Sequence, residues 1–146
     1  MKRTLLLARA LAVIPVGVDA QAPGLEETRV LAEQGDAISQ YNLGLMYDRG
    51  VGVPEDDAEA VRWNRLAAEQ GYAIAQYQLG YMYALGEGVP EDDVLAYMWV
   101  HLAAAEGNEN AQEIKDILEE RMSREQIAEA QRLSTEWLEA HPPGGN

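Results

Sequence analysis

The sequence repeats itself at an interval of about 36 residues, and this feature constrains the fold more than any other. The segment 32–35 returns as 68–71, and the segment 52–57 returns without change as 88–93. Over the window 32–67, roughly 23 positions are identical to those one repeat later. Repeats of this length are units that bury their apolar faces by stacking on neighbouring units. We therefore predict a linear array of one small motif.

Within each unit the apolar residues recur at steps of three and four, which is the spacing of a helix face rather than of a strand. One set runs from Ala37 through Tyr41 to Leu45, and a second set contains Ala60 and Trp63. Each unit is therefore predicted to be a pair of helices. Trp63 and Tyr47, together with their counterparts in the next unit, are expected to pack in the core between helices.

Glycines mark the expected ends of these helices. Gly50 and Gly86 stand where the first helix of each unit must stop, because glycine readily adopts the left-handed conformation that helix C-termini favour. The same argument places the end of the second helices at Gly35, Gly71 and Gly107.

Two further glycines, Gly44 and Gly80, lie inside the first helices. A glycine there costs on the order of 1 kcal/mol in helix propensity. Its recurrence predicts a close approach of two helices.

Acidic and hydroxyl residues mark the expected helix starts. Asp56 is predicted to cap the second helix of the first unit, with Glu59 completing a capping box, and Asp92 is predicted to cap the next unit alone. Ser123 and Gln126 form a second predicted capping box, which opens a final helix.

The repeated pattern resembles the Sel-1-like repeat, a relative of the tetratricopeptide repeat. The resemblance is carried by AIAQYQLGYMY at 73–83, by GEGVPED at 86–92, and by the alanine, tryptophan and glycine positions of 96–107. A plain tetratricopeptide assignment fits less well, because that repeat has a period of about 34 residues and lacks the Gly-x-Gly-Val-Pro loop. The resemblance implies an all-α fold, a short right-handed solenoid of antiparallel helix pairs.

We expect the chain to divide into six segments, whose ends depart from the repeat pattern as the ends of a solenoid must. These are a signal peptide (1–20), a linker with an N-terminal capping helix (21–36), a first repeat (37–71), a second repeat (72–107), a degenerate third repeat with a C-terminal capping helix (108–140), and a tail (141–146).

The first twenty residues have the layout of a secretory signal. Lys2 and Arg3 precede an apolar stretch, and small residues at Val18 and Ala20 stand at the −3 and −1 positions of a cleavage site. Arg9 interrupts the apolar stretch, and the alternative is an ordinary amphipathic helix. The uninterrupted apolar run is too short for a membrane span. We predict export to the periplasm or beyond.

Composition removes several functional classes. The chain has no cysteine, which excludes disulfides and thiolate chemistry, and its formal net charge of −14 disfavours nucleic acids. His101 and His141 have no partner at metal-ligand spacing, and the acidic triplets 55–57 and 91–93 are explained by helix capping. The sequence carries no nucleophile elbow, phosphate loop or dinucleotide fingerprint. We therefore predict no catalytic residue, no metal and no cofactor.

The predicted binding surface is the face of the first helices, which in the solenoids that this chain resembles lines the concave side. The candidate partner-binding residues are Ile38, Tyr41, Leu45, Asp48, Arg49, Ile74, Tyr77, Tyr81 and Leu85. Ala84 is expected to be exposed on the same face. Several of these positions differ between the two copies within a nearly constant frame, as they would on a binding surface. Drift on a merely solvated inner face would give the same variation.

The sequence thus predicts a non-catalytic adaptor or scaffold of the cell envelope that binds a protein or peptide in this groove. Because the surface is acidic, a partner with basic patches is favoured. Two alternatives stay open: a hydrolase acting on wall material, and a structural protein that associates weakly with itself.

Overall fold

The computed structural model describes residues 24–144, so the predicted signal peptide at 1–20 lies outside the described residues. Within this range the chain forms seven α-helices and no strand. The helices are α1 (Leu25–Glu33), α2 (Ala37–Arg49), α3 (Asp57–Glu69), α4 (Ala73–Leu85), α5 (Asp93–Ala105), α6 (Glu109–Arg121) and α7 (Arg124–Ala140).

Helices that follow one another along the chain pack against one another, from α1 through to α6. We call α2, α4 and α6 the A helices, and α1, α3 and α5 the B helices. Each A helix packs on the B helix before it, and α2 and α4 also pack on the B helix after them. This arrangement confirms the predicted all-α array of helix pairs.

The core lies between the A and B helices and is built from the repeated positions. Leu43 and Leu79 are completely buried, and the tryptophans Trp63 and Trp99 are 6% and 7% exposed. The predicted core role of both tryptophans is confirmed. Tyr97, which has no aromatic counterpart in the first repeat, is the largest of the fully buried side chains.

A buried glutamine links α1 to α2 and another links α3 to α4. Gln40 donates its side-chain amide to the carbonyl of Ala32, and Gln76 donates in the same way to Ala68. Both glutamines are nearly inaccessible, so these bonds satisfy polar groups that burial would otherwise strand. These two hydrogen bonds fix the packing of one unit on the next.

Most of the predicted helix boundaries are confirmed. Gly50 and Gly86 end the first helices with φ of 64° and 69°. Asp92 caps α5 by accepting from the backbone N–H of Leu95, and the Ser123 capping box is complete.

The capping box predicted at Asp56 is wrong in one half. The Asp56 carboxylate accepts from the backbone N–H of Glu59. The Glu59 side chain instead pairs with Arg62, and the backbone N–H of Asp56 donates to the carbonyl of Tyr47. A guanidinium one turn away offers the Glu59 carboxylate a charged partner, which the neutral backbone does not.

The third unit departs from the first two where the sequence departs from the repeat. Lys115 and Asp116 stand in α6 at the places of Leu79 and Gly80, so the close, apolar contact with a following helix is lost. The last helix, α7, packs on α5 instead. Ala130 and Ser134, both buried, give α7 a narrow face for that contact.

A candidate partner-binding face on the A helices

The nine predicted partner-binding residues lie on α2 and α4. Ile38 and Ile74 occupy equivalent places and are 55% and 43% exposed. Arg49 is also exposed, and the remaining six are half-buried: Tyr41, Leu45, Asp48, Tyr77, Tyr81 and Leu85. The face therefore offers accessible side chains on a partly apolar surface.

Four tyrosines form the centre of this face, and we call them the tyrosine strip: Tyr41, Tyr72, Tyr77 and Tyr81. The rings of Tyr41 and Tyr72 meet edge to face with centroids 5.7 Å apart. The rings of Tyr77 and Tyr81 lie 6.4 Å apart at a tilt of 36°. One side of each ring packs against the main core cluster, and the rest of the side chain stays accessible to solvent.

Tyr72 was not among the predicted binding residues. It holds the N-cap position of α4, where it makes no side-chain capping hydrogen bond. At the same position the other two A helices have Asp36 and Asn108, and both accept a capping bond from the backbone. A capping side chain contributes about 1 kcal/mol, so α4 forgoes that contribution and gains an aromatic contact across the repeats. This break in the capping pattern was the signal in the sequence.

Burial and neighbouring groups raise the pKa of two tyrosines of the strip. Burial is the main cause that raises the pKa of Tyr41, with a further contribution from the phenol of Tyr72 and an opposing one from Arg49. Burial also raises the pKa of Tyr77, and Glu113 of α6 adds to the effect. Both side chains therefore stay phenols at physiological pH and present an apolar ring with a polar tip.

Two expectations about exposure need correction. Ala84 is only 4% exposed and lies in the core, and its carbonyl accepts a hydrogen bond from Arg121. Tyr47, predicted to be core, is only half-buried. Its counterpart Tyr83 is 9% exposed, as predicted, and its hydroxyl accepts a hydrogen bond from Arg65 at 2.7 Å. The face is therefore narrower at α4 than the sequence suggested.

The second acidic triplet does more than cap a helix. Arg121, at the end of α6, lies 2.5 Å from a carboxylate oxygen of Asp93 and 3.8 Å from one of Glu91. The same guanidinium donates to the carbonyl of Ala84, in the last turn of α4. Capping by Asp92 was predicted, and the cross-link by Arg121 was missed because its partners are 28 or more residues away.

Both histidines stack on aromatic rings. His101 lies 5.8 Å from the ring of Tyr97, and His141 lies 4.2 Å from the ring of Trp137. In residues 24–144, no group of three or more His, Asp or Glu side chains is placed to hold a metal ion. Across the same stretch, no helix has both the length and the apolar character needed to cross a membrane.

Comparison with known proteins places this architecture in a family. The family model of the Sel1 repeat matches the chain twice, at residues 37–72 and 73–108. No protein of curated function matches the sequence.

Two solved structures share the fold. A protective antigen of uropathogenic Escherichia coli strains, described as displaying an SLR fold, matches 82% of this chain at 37% identity with a TM-score of 0.78. A Sel1 repeat protein from Oxalobacter formigenes matches 64% of the chain at 36% identity with a TM-score of 0.62. The matches cover 26% of the first protein and 38% of the second, so this chain spans well under half the length of either.

Proposed function

The chain contains two Sel1 repeats and belongs to the Sel1 repeat family, and from this premise we propose that it binds a protein partner through the tyrosine strip on its A helices. Sel1 repeats are generally protein-interaction modules, and the fold is typically a non-catalytic scaffold. Our proposal goes further and names the surface, an adaptor role and a place in the cell envelope.

The observation that carries the proposal is the aromatic N-cap of α4. Tyr72 brings its ring against Tyr41 of the preceding repeat instead of capping its own helix. Tyrosines are favoured at protein interfaces because they give a large contact area with little loss of side-chain freedom. Ile38 and Ile74 add exposed apolar area on the same helices.

The charge of the chain supports a basic partner. With a formal net charge of −14, the protein attracts cationic surfaces over distances of about 10 Å at moderate salt. Such attraction speeds encounter more than it strengthens the final complex. Placement in the envelope is supported by the signal-like layout of residues 1–20.

The test is capture from an envelope extract, followed by a binding measurement with the purified partner. The variant Tyr41→Ala/Tyr81→Ala removes two rings of the strip. Val51→Ala/Leu66→Ala removes two exposed apolar side chains that lie outside the A helices, and it serves as the control. Circular dichroism and melting establish that both variants are folded. We expect the strip variant to weaken binding at least tenfold and the control to leave it unchanged. Equal binding by both variants would overturn the proposal.

Self-association is a second candidate, because α1 exposes two apolar side chains. Val30 is 49% exposed and Leu31 is 37% exposed, next to one another on a surface helix. Such a pair can pack against a second copy. Light scattering across a concentration series decides this point: a mass that rises with concentration, and stops rising in Leu31→Ser, supports self-association.

A further inference from the structure

A cleft of about 550 Å³ lies where the B helices α3 and α5 end, and no residue of the tyrosine strip lines it. The ends of α3 and α5 form two sides, and the end of α7 with residues 141–144 forms a third. None of the nine predicted binding residues lines it. Its size is within the range of sites that hold small molecules or single side chains.

One wall of the cleft is apolar and held in place from several sides. Trp137 meets the edge of Trp99 with ring centroids 6.1 Å apart, and its other neighbour is the stacked ring of His141. A Cβ on Gly71 would lie 3.7 Å from the indole, so the ring also reaches the loop between the repeats. Leu102 is buried beside it, whereas Leu138 is 48% exposed.

The other walls are electronegative. Three helices, α3, α5 and α7, end at this cleft, and the C-terminus of a helix carries roughly half a negative charge. None of the three has a basic residue in its last turn. The carboxylates of Glu69 and Glu106 add two formal charges, and no lysine or arginine lines the cleft.

The ends of the A helices show the contrast. Both α2 and α6 carry an arginine in the last turn, Arg49 and Arg121. The end of α4 lacks one of its own, but Arg121 donates to the carbonyl of Ala84 there. At those ends an arginine offsets the negative charge. At the cleft the carbonyls of Ala68 and Trp137 accept side-chain hydrogen bonds only from Gln76 and His141, and no lysine or arginine is among the described residues that line it.

We propose that the cleft binds an arginine side chain of a partner protein. An arginine has an aliphatic stem that packs on an apolar wall and a planar cation with five donors for carboxylates and helix-end carbonyls. The inference does not depend on the tyrosine strip: it adds a second contact and states the chemistry of the partner at that contact.

The test uses the full chain, labelled with ¹⁵N, and a probe that isolates the cation. The probe is the capped tripeptide acetyl-Gly-Arg-Gly-amide, and its neutral analogue has citrulline in place of arginine, with nearly the same shape. We expect the arginine peptide to shift the signals of Gly71, Ala105, Leu138 and the Trp137 indole with a dissociation constant in the millimolar range. The citrulline peptide should leave them unchanged.

Two pairs of variants separate the cleft from the general acidity of the protein. Glu69→Gln/Glu106→Gln should raise the dissociation constant of the arginine peptide at least fivefold. Glu55→Gln/Glu120→Gln makes the same charge change at exposed positions outside the cleft and should alter it by less than twofold. Leu138→Ser should weaken binding without a change of charge.

Three results would overturn the proposal. They are equal shifts with the two peptides, shifts spread over the acidic surface that the Glu69/Glu106 variant does not reduce, and shifts confined to Tyr41 and Tyr77. The last result would leave the tyrosine strip as the arginine site. Conversely, loss of partner capture in the strip variant with intact peptide binding at the cleft would leave both proposals standing.

Discussion

The two repeats have nearly the same sequence, yet they pack with different tightness. A Cβ on Gly44 would lie 3.1 Å from the side chain of Asn64, which can shift. At the equivalent Gly80, a Cβ would lie 2.6 Å from Cγ1 of Val100 and 2.9 Å from the carbonyl oxygen of Ala96. The second repeat brings its helices closer than the first.

The long loops differ in the same direction. Gly52 has only side-chain atoms near its missing Cβ, the nearest at 3.6 Å, whereas at Gly88 a Cβ would lie 2.3 Å from the carbonyl oxygen of Asp57. The loop of the second repeat rests on the backbone at the start of α3. The first repeat therefore requires glycine at this loop position for its backbone conformation, and the second repeat requires it for both conformation and space.

The largest effect is expected at these loop glycines. Both have a positive φ, of 74° at Gly52 and 70° at Gly88, so alanine is strained at either position. Gly88→Ala adds a backbone clash and should lower the free energy of unfolding by about 3 kcal/mol, against about 1 kcal/mol for Gly52→Ala. Urea denaturation measures both, and equal losses would contradict the difference in packing.

The helix glycines should show a smaller difference. Gly80→Ala should cost about 2 kcal/mol through overpacking against Val100 and Ala96. Gly44→Ala should cost less than about 0.5 kcal/mol, because the gain in helix propensity offsets the displacement of Asn64. Thermal melting of the two variants side by side tests this, and a larger loss at Gly44 would be inconsistent with the distances.

The residue that faces the helix glycine also differs between the repeats: it is Asn64 in the first and Val100 in the second. Asn64 is completely buried, and its amide oxygen has no hydrogen-bond partner within the described part of the chain. Asn64→Val copies the residue of the second repeat and should raise the free energy of unfolding by about 1.5 kcal/mol. If the variant is less stable than the parent, the asparagine has a partner that the structure does not contain.

The first residues of α3 and α5 are contacted by different groups. Gly88 lies over Asp57 at the start of α3, whereas Arg121 contacts the equivalent Asp93 at the start of α5. Arg121→Met retains the stem of the side chain and should lower stability by about 1 kcal/mol. High salt should reduce that loss, and a loss that is independent of salt would show that packing dominates.

The smallest effect is a dependence on pH confined to the second repeat. His101 stands where the first repeat has Arg65, and its pKa is lowered by burial and by Lys115, while Glu119 opposes the shift. The imidazole of His101 therefore binds a proton more readily in the unfolded chain than in the folded one. The free energy of unfolding is highest above about pH 6.5 and declines as the pH falls below that value. His101→Gln should flatten the decline between pH 7 and pH 5 in melting curves.

Much of the fold could be predicted because a repeat makes local rules decisive. The glycine positions gave the helix ends, and Trp63 and Trp99 were placed correctly because equivalent positions must pack alike. The partner of the Glu59 carboxylate could not be predicted. The guanidinium of Arg62 and the backbone N–H of Asp56 are both three residues away and compete for it.

The candidate face was harder to delimit. Tyr41 and Tyr77 follow from helical spacing, and the structure places both half-buried on that face. Ala84 is buried in the main core cluster, which depends on how the helices pack and not on helical spacing alone. Tyr72 occupies a capping position, so its contact with Tyr41 requires knowledge of how two units stack.

The packing of α1 to α6 mainly on their neighbours in sequence has a kinetic consequence. Contacts between neighbours close short loops, so a chain of this kind folds quickly and can begin at more than one place. The central helices α4 and α5 pack on partners at both sides, whereas α1 packs chiefly on α2. Amide protons of α4 and α5 therefore exchange with solvent most slowly, and those of α1 are the first to be lost.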